Sequence, residues 1–174
     1  MVLSMTEVNH QITRSIEIDA GHRLPFHGSK CKNIHGHRYK IEARCSGKLI
    51  ESGEQDGMIL DFGFLKEEME EVIDSKCDHG FIFCYYDEIC INMLLDDDKK
   101  DLLIEGVKQN GHWSGISKNE QKIYILDSAP TAENLAKHWF DLLKPKIKNR
   151  SNNMAFLVDI TVWETPNCKA RYGE

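Results

Sequence analysis

Cys31-Lys-Asn-Ile-His-Gly-His-Arg-Tyr-Lys-Ile-Glu-Ala-Arg-Cys45 decides the fold. From Tyr39 to Cys45 apolar and polar residues alternate, the period of a half-buried strand. Ile12-Thr-Arg-Ser-Ile-Glu-Ile18 repeats that alternation upstream. Between the two lies the loop Ala20 to Ile34, rich in glycine, histidine and lysine. The pair therefore predicts a hairpin with a wide loop. His35-Gly36-His37 opens the second strand, and residues two apart in an extended chain point to the same face. Both imidazoles can reach one ion, with Gly36 leaving the other side uncrowded. His22 follows the first strand in Ala20-Gly-His-Arg, so pairing brings a third imidazole to the same end.

Outward from that hairpin, Met58-Ile-Leu-Asp61 reads as a short return strand, after turns at Gly47, Gly53 and Gly57. Phe62, Leu65, Met69, Val72 and Ile73 follow helical spacing. Phe81 to Tyr86 is β-prone, Ile89 to Leu95 a short helix, and Asp96 to Asp101 a charged surface break. Residues 106 to 121, polar and holding glycines, read as a long loop. Lys122 to Leu126 is a strand. Thr131 caps the next helix, with Glu133 in its first turn; Leu135, Trp139, Leu142 and Leu143 form its apolar face, and Pro145 lies near its end. Ala155 to Trp163 alternates as a strand, and Cys168 to Tyr172 makes a final one. Strands, then helices, then strands describe α+β with an antiparallel sheet.

A chain of 174 residues, 41% hydrophobic and 29% charged, suits one domain with its own core. The net charge of -6 argues against nucleic acid, which wants a basic surface. It leaves room for a small anionic substrate in one basic-lined cleft, with Arg23, Lys30 and Lys32 as candidates by position. No apolar stretch approaches the ~20 residues needed to span a bilayer. Met1 to Glu7 lacks the features of a signal peptide, so a cytoplasmic setting is expected and the six cysteines read as free thiols.

Three neutral imidazoles with one coordination position open make a catalytic zinc site. The alternative is a turn carrying exposed histidines. Cys31 stands in the loop expected to close over this site, and three roles fit it: a base with a lowered pKa, a fourth structural ligand, or none. Asp78-His79 pairs a carboxylate with an imidazole, which can tune proton relay; such neighbours also arise by chance. Glu164 ends the strongest strand, where its carboxylate either accepts two hydrogen bonds from a bidentate donor edge or is an ordinary charged terminus.

Together these segments resemble the 6-pyruvoyltetrahydropterin synthase superfamily. The matching stretches are Ala20-Gly-His-Arg-Leu-Pro25, Cys31-Lys-Asn-Ile-His-Gly-His37, Met58-Ile-Leu-Asp-Phe62, Asp78-His79, Pro130-Thr-Ala-Glu-Asn134 and Trp163-Glu-Thr165. They come in the family's order over nearly the whole chain. The placement of Cys31 just before His-Gly-His is similar to the bacterial carboxy-forming branch, the 6-carboxytetrahydropterin synthases of the queuosine pathway.

The resemblance implies a tunnelling fold: a four-stranded antiparallel sheet with two helices on one face. Protomers of that fold join into a homo-oligomeric barrel with sites between subunits. It implies zinc on His22, His35 and His37, Cys31 as base, Asp78 and His79 as proton relay, and Glu164 as pterin anchor, with Thr131 and Glu133 near the substrate. The implied reaction turns 7,8-dihydroneopterin triphosphate into 6-carboxytetrahydropterin, a carbon–oxygen lyase step losing triphosphate and acetaldehyde. The alternatives are 6-pyruvoyltetrahydropterin formation or a non-catalytic zinc- or pterin-binding protein. Between His79 and Thr131 the chain exceeds compact bacterial members by roughly thirty residues, far beyond an ordinary connection. This insertion, at about 84–127, is expected to add an edge strand pair or alter oligomer contacts.

Overall fold

A computed structural model describes residues 10–174. The stretch Met1 to Glu7, read above for a signal, lies outside them. Strand β1 (Gln11–His22) and strand β2 (His35–Gly47) form the expected hairpin, both longer than their alternating cores suggest. Antiparallel pairing joins β2 to β6 (Ala155–Thr165) and β6 to β7 (Cys168–Gly173). These four strands are the antiparallel unit expected from the resemblance. The sheet does not stop there. It has seven strands in the order β4-β5-β3-β1-β2-β6-β7. Strand β3 (Gly80–Cys84) runs parallel to β1, β5 (Lys122–Leu126) runs parallel to β3, and β4 (His112–Ile116) closes the edge antiparallel to β5. The sheet is therefore mixed, not four-stranded and antiparallel.

Helix α1 (Phe62–Met69) starts at Asp61, whose side chain accepts from the Gly63 amide at 2.5 Å. It runs through a π turn (Glu70–Asp74) and ends at Ser75–Cys77. Met58 to Asp61 is not a strand. Ile59 and Leu60 are buried there, but the Gly57 amide donates to Ile50 and the Ile50 amide to Met58, which closes a loop. Helix α4 (Ala132–Arg150) continues past Pro145, because Leu143 and Ile147 on either side are fully buried. That packing outweighs the backbone bond proline cannot make. Helices α1 and α4 cover one face of the sheet, where Leu65, Met69, Trp139 and Phe140 pack on Ile18, Tyr39, Ile41 and Val162.

The stretch 84–127 holds two more helices, α2 (Glu88–Leu94) and α3 (Lys100–Asn110). Residues 106 to 121 are thus no loop: α3 runs to Asn110, Gly111 terminates it at φ 80, and β4 follows. A left-handed glycine after a helix is a common C-terminal cap. Strand β5 is buried on both faces, with Tyr124 and Leu126 in the main core. Ile123 and Ile125 join Phe83, Cys90, Ile91, Leu94 and Val107 in a second core. This stretch therefore brings its own hydrophobic layer and extends the sheet beyond β3. No helix among the described residues is long and apolar enough to cross a membrane.

Candidate metal centre and its surroundings

The hairpin register sets Ala20 opposite His37, Gly21 opposite Gly36 and His22 opposite His35. Alternation puts His35, His37 and Tyr39 on the face shared by Ala20 and His22. A side chain at position 36 would crowd the neighbouring strand, since a Cβ there would stand 3.0 Å from the Ala20 carbonyl. The ligand atoms of His22, His35 and His37 all lie within 4.8 Å of one another.

Two of these rings are oriented by backbone carbonyls. His22 Nδ1 lies 2.9 Å from the Pro130 oxygen and His35 Nδ1 lies 2.8 Å from the Asn33 oxygen. A carbonyl only accepts, so each Nδ1 carries the proton and each Nε2 presents a lone pair. Those Nε2 atoms face each other at 3.1 Å. Tetrahedral zinc with nitrogen bonds of about 2.1 Å separates its ligands by about 3.4 Å. The spacing and donor type fit a divalent cation, which resolves the repulsion between the facing lone pairs. Burial, helped by His35 and His37 and opposed by the Pro130 contact, lowers the His22 pKa from 6.5 to about 4. Burial also lowers His37, against the pull of Glu164. Both rings are neutral at pH 7, the form that ligates.

Glu164 Oε1 stands 3.7 Å from His22 Nε2 and 3.8 Å from His37 Nε2, so its carboxylate faces the cluster. Cys31 sits half-buried on a short turn (Lys30–Lys32), with its carbonyl tied to the Leu24 amide at 2.9 Å. Tyr39 is the residue that sequence reasoning missed. It is fully buried, its ring centre is 5.5 Å from that of His37, and its hydroxyl finds no hydrogen-bond partner among the described residues. Burial raises its pKa, and Glu164 and Cys31 add to the shift. The signal was available: Tyr39 continues the two-residue step from His35 and His37.

Asp78 and His79 are elsewhere. The carboxylate bonds His79 Nδ1 at 2.7 Å and accepts from the Asp19 amide at 2.9 Å. These contacts hold Asp78 below its ordinary pKa although burial works against ionisation. His79 lines an open cavity of about 500 Å³ with Asp19, Gly21, Gly36 and Arg38 and with Ala20 and His37. By alternation along β1 and β2 the first four belong to the face opposite the ligands and the last two to the ligand face, so the cavity borders both. Arg38 closes one side of this cavity, bonded to both Asp19 oxygens at 2.9 Å.

Thr131 caps α4 by accepting from the Asn134 amide at 3.3 Å, and Glu133 is exposed on the first turn. Pro130, just before them, holds His22. Arg23 does not present itself to a phosphate. It is buried, with Nε 3.1 Å from Asp87 Oδ2 in the insertion.

A family model described as 6-pyruvoyl tetrahydropterin synthase matches residues 11–174. The 6-carboxy-5,6,7,8-tetrahydropterin synthase of Rickettsia conorii is 36% identical over 156 residues, covering 90% of this chain and 94% of its own. The protein of the same name from Haemophilus influenzae is 30% identical over 164 residues, covering 94% and 99%. Among solved structures, Caenorhabditis elegans 6-pyruvoyl tetrahydropterin synthase superposes with a TM-score of 0.58 at 25% identity, over 96% of this chain and 98% of its own. An uncharacterized protein, WS1659 from Wolinella succinogenes, reaches a TM-score of 0.67 at 19% identity over 95% and 98%, a likeness of fold alone.

Proposed function

This chain belongs to the 6-pyruvoyl tetrahydropterin synthase family and is a pterin-synthase enzyme, and from that premise we propose that it is a zinc-dependent 6-carboxytetrahydropterin synthase. Its substrate is 7,8-dihydroneopterin triphosphate, and its products besides the carboxypterin are triphosphate and acetaldehyde. The observation that carries the reading is the pair of Nε2 atoms facing each other at 3.1 Å beside a third histidine. The names of the relatives at 30% and 36% identity favour the carboxy product.

His22, His35 and His37 would hold the zinc, which would supply a Lewis acid to acidify the substrate's side-chain hydroxyls. Glu164, facing that cluster, accepts hydrogen bonds from the amino-pyrimidine edge and fixes the ring. Cys31 acts as the base that removes a side-chain proton. His79 relays protons through Nε2, its Nδ1 edge fixed by Asp78. The buried Tyr39 phenol stays protonated and closes the floor below the histidines.

His79 is not part of the His22, His35 and His37 cluster, and the reading is completed by a homo-oligomer in which one copy lends His79 to the site of the next. Three strand edges are free for such joining among the described residues: β7 and β4 on their outer sides, and β1 before Ala20, where pairing with β3 begins. The free thiols, four of them buried, suit a reducing cytoplasm.

Formation of 6-pyruvoyltetrahydropterin is the second reading, favoured by the name of the Caenorhabditis elegans neighbour. Incubating zinc-loaded protein with 7,8-dihydroneopterin triphosphate and identifying products by mass spectrometry separates the two. Acetaldehyde released in step with triphosphate is the expected result. A three-carbon side chain retained on the pterin overturns the carboxy assignment.

A further inference from the structure

The peptide group between Asp78 and His79 is held at both ends. Its carbonyl oxygen accepts from Lys122 Nζ at 2.7 Å, and its amide donates to the Asp19 carbonyl at 2.8 Å. His79 needs that restraint. It sits at φ 53, a left-handed conformation that costs a non-glycine residue free energy and persists only where the surroundings impose it. Rotation of this one peptide would swing the imidazole away from Asp78 and out of the cavity it lines.

Lys122 is placed for this by the insertion. The parallel pairing of Phe81 with Ile123 lays β5 beside β3 and sets Lys122 next to Gly80. Its stem passes so close that a Cβ on Gly80 would meet Lys122 Cδ at 3.3 Å and Cγ at 3.4 Å. The thiol beside it, Cys77, is pushed by burial up to about 12 and stays neutral, so it offers the ammonium no ionic partner. The Asp78 carboxylate is already engaged by His79 and the Asp19 amide.

We propose that Lys122 is a positioning residue for His79, through which the inserted strand fixes the proton-relay turn of the active site. The proposal rests on the reading of His79 as the relay. Lys122 touches no substrate. It holds the carbonyl of residue 78, the carbonyl fixes the peptide, and the peptide fixes the ring. A displacement of the ring by about an ångström is enough to lower a proton-transfer step about a hundredfold.

Lys122→Met keeps the apolar stem and removes the donor. The expected result on zinc-loaded protein is a kcat lower by about ten- to a hundredfold, with KM and zinc content within about twofold of wild type. Lys122→Arg, which keeps a charged donor, should recover most of the loss. Hydrogen exchange at the His79 amide should quicken in the Met variant and not in the Arg variant, a readout independent of turnover. His79→Ala is assayed alongside. If it is inactive while Lys122→Met turns over at wild-type kcat with an unchanged His79 amide, the positioning role is wrong and the relay stands. If His79→Ala is fully active, the relay itself is wrong and the proposal falls with it. Should the Met variant fail to fold, Lys122→Gln takes its place against Lys122→Arg, and a folded Gln variant at wild-type kcat overturns the proposal.

Discussion

Cys31→Ala and His79→Ala protein, each inactive alone, should regain turnover when the two chains are assembled together. The expectation follows from the faces of one sheet. The three histidines, Tyr39 and Glu164 group on one face of the β1–β2 end, whereas His79 stands outside that cluster, in a cavity bordered by Asp19, Gly21, Gly36 and Arg38 of the other face as well as by Ala20 and His37. Packing layers on a sheet lie about 10 Å apart, and direct proton transfer needs a reach of about 3 Å. The shared-site reading therefore has a different copy provide the relay. In a random equal mixture, an intact Cys31 meets an intact His79 at about one interface in four, whatever the size of a closed ring. Co-expressed and purified together, with mixed assemblies verified by native mass spectrometry, the two variants should recover about a quarter of wild-type turnover per chain. Activity no greater than the sum of the separate variants, in verified mixed assemblies, would place His79 and Cys31 in the same protomer's site and sink the shared-site reading.

Cys31→Ala alone should abolish triphosphate release yet retain zinc at wild-type stoichiometry by elemental analysis; loss of the metal would make Cys31 a ligand instead. Asp87→Ala should destabilise the protein by about 3–5 kcal/mol in urea unfolding, because it strands Arg23, which is only 7% exposed. A loss under about 1 kcal/mol would show that the pair contributes no more than a surface contact. Burial, reinforced by His112, lowers the His138 pKa from 6.5 to about 4. Between those values the unfolded chain binds the extra proton, so stability is complete above about pH 6.5 and drains by up to about 3 kcal/mol as pH falls toward 4. His138→Gln should flatten that decline in metal-free protein compared at pH 7 and pH 5, and an unchanged slope would refute the attribution.

The hairpin was legible because period-two alternation survives on both strands, and the histidine pair inherits its face from it. The structure of residues 84–127 hid for two different physical reasons. In α3 only Val107 is fully buried and the other faces meet solvent, so Gly106 and the surrounding polar residues imitate a loop. Strand β5 is visible, but its direction is not: whether Lys122 to Leu126 runs with or against a neighbour depends on the crossover through α2 and α3, which no local pattern encodes. A short apolar run, as in Met58 to Asp61, has the same composition whether it becomes a strand or the buried side of a turn.

The site divides along the same line between local and distant. Two-residue spacing gathers His35, His37 and Tyr39 without help from the rest of the chain. His22, by contrast, depends on a carbonyl 108 residues away in the sequence, and His79 on a lysine carried by the insertion. Those backbone contacts orient imidazoles, and an imidazole turned away from its cluster is chemically idle however well its spacing reads. The motifs therefore name the candidate groups, while strand β5 and the start of α4 supply backbone contacts beside two of them. A segment that touches none of the motif residues by sequence can accordingly govern how fast they work.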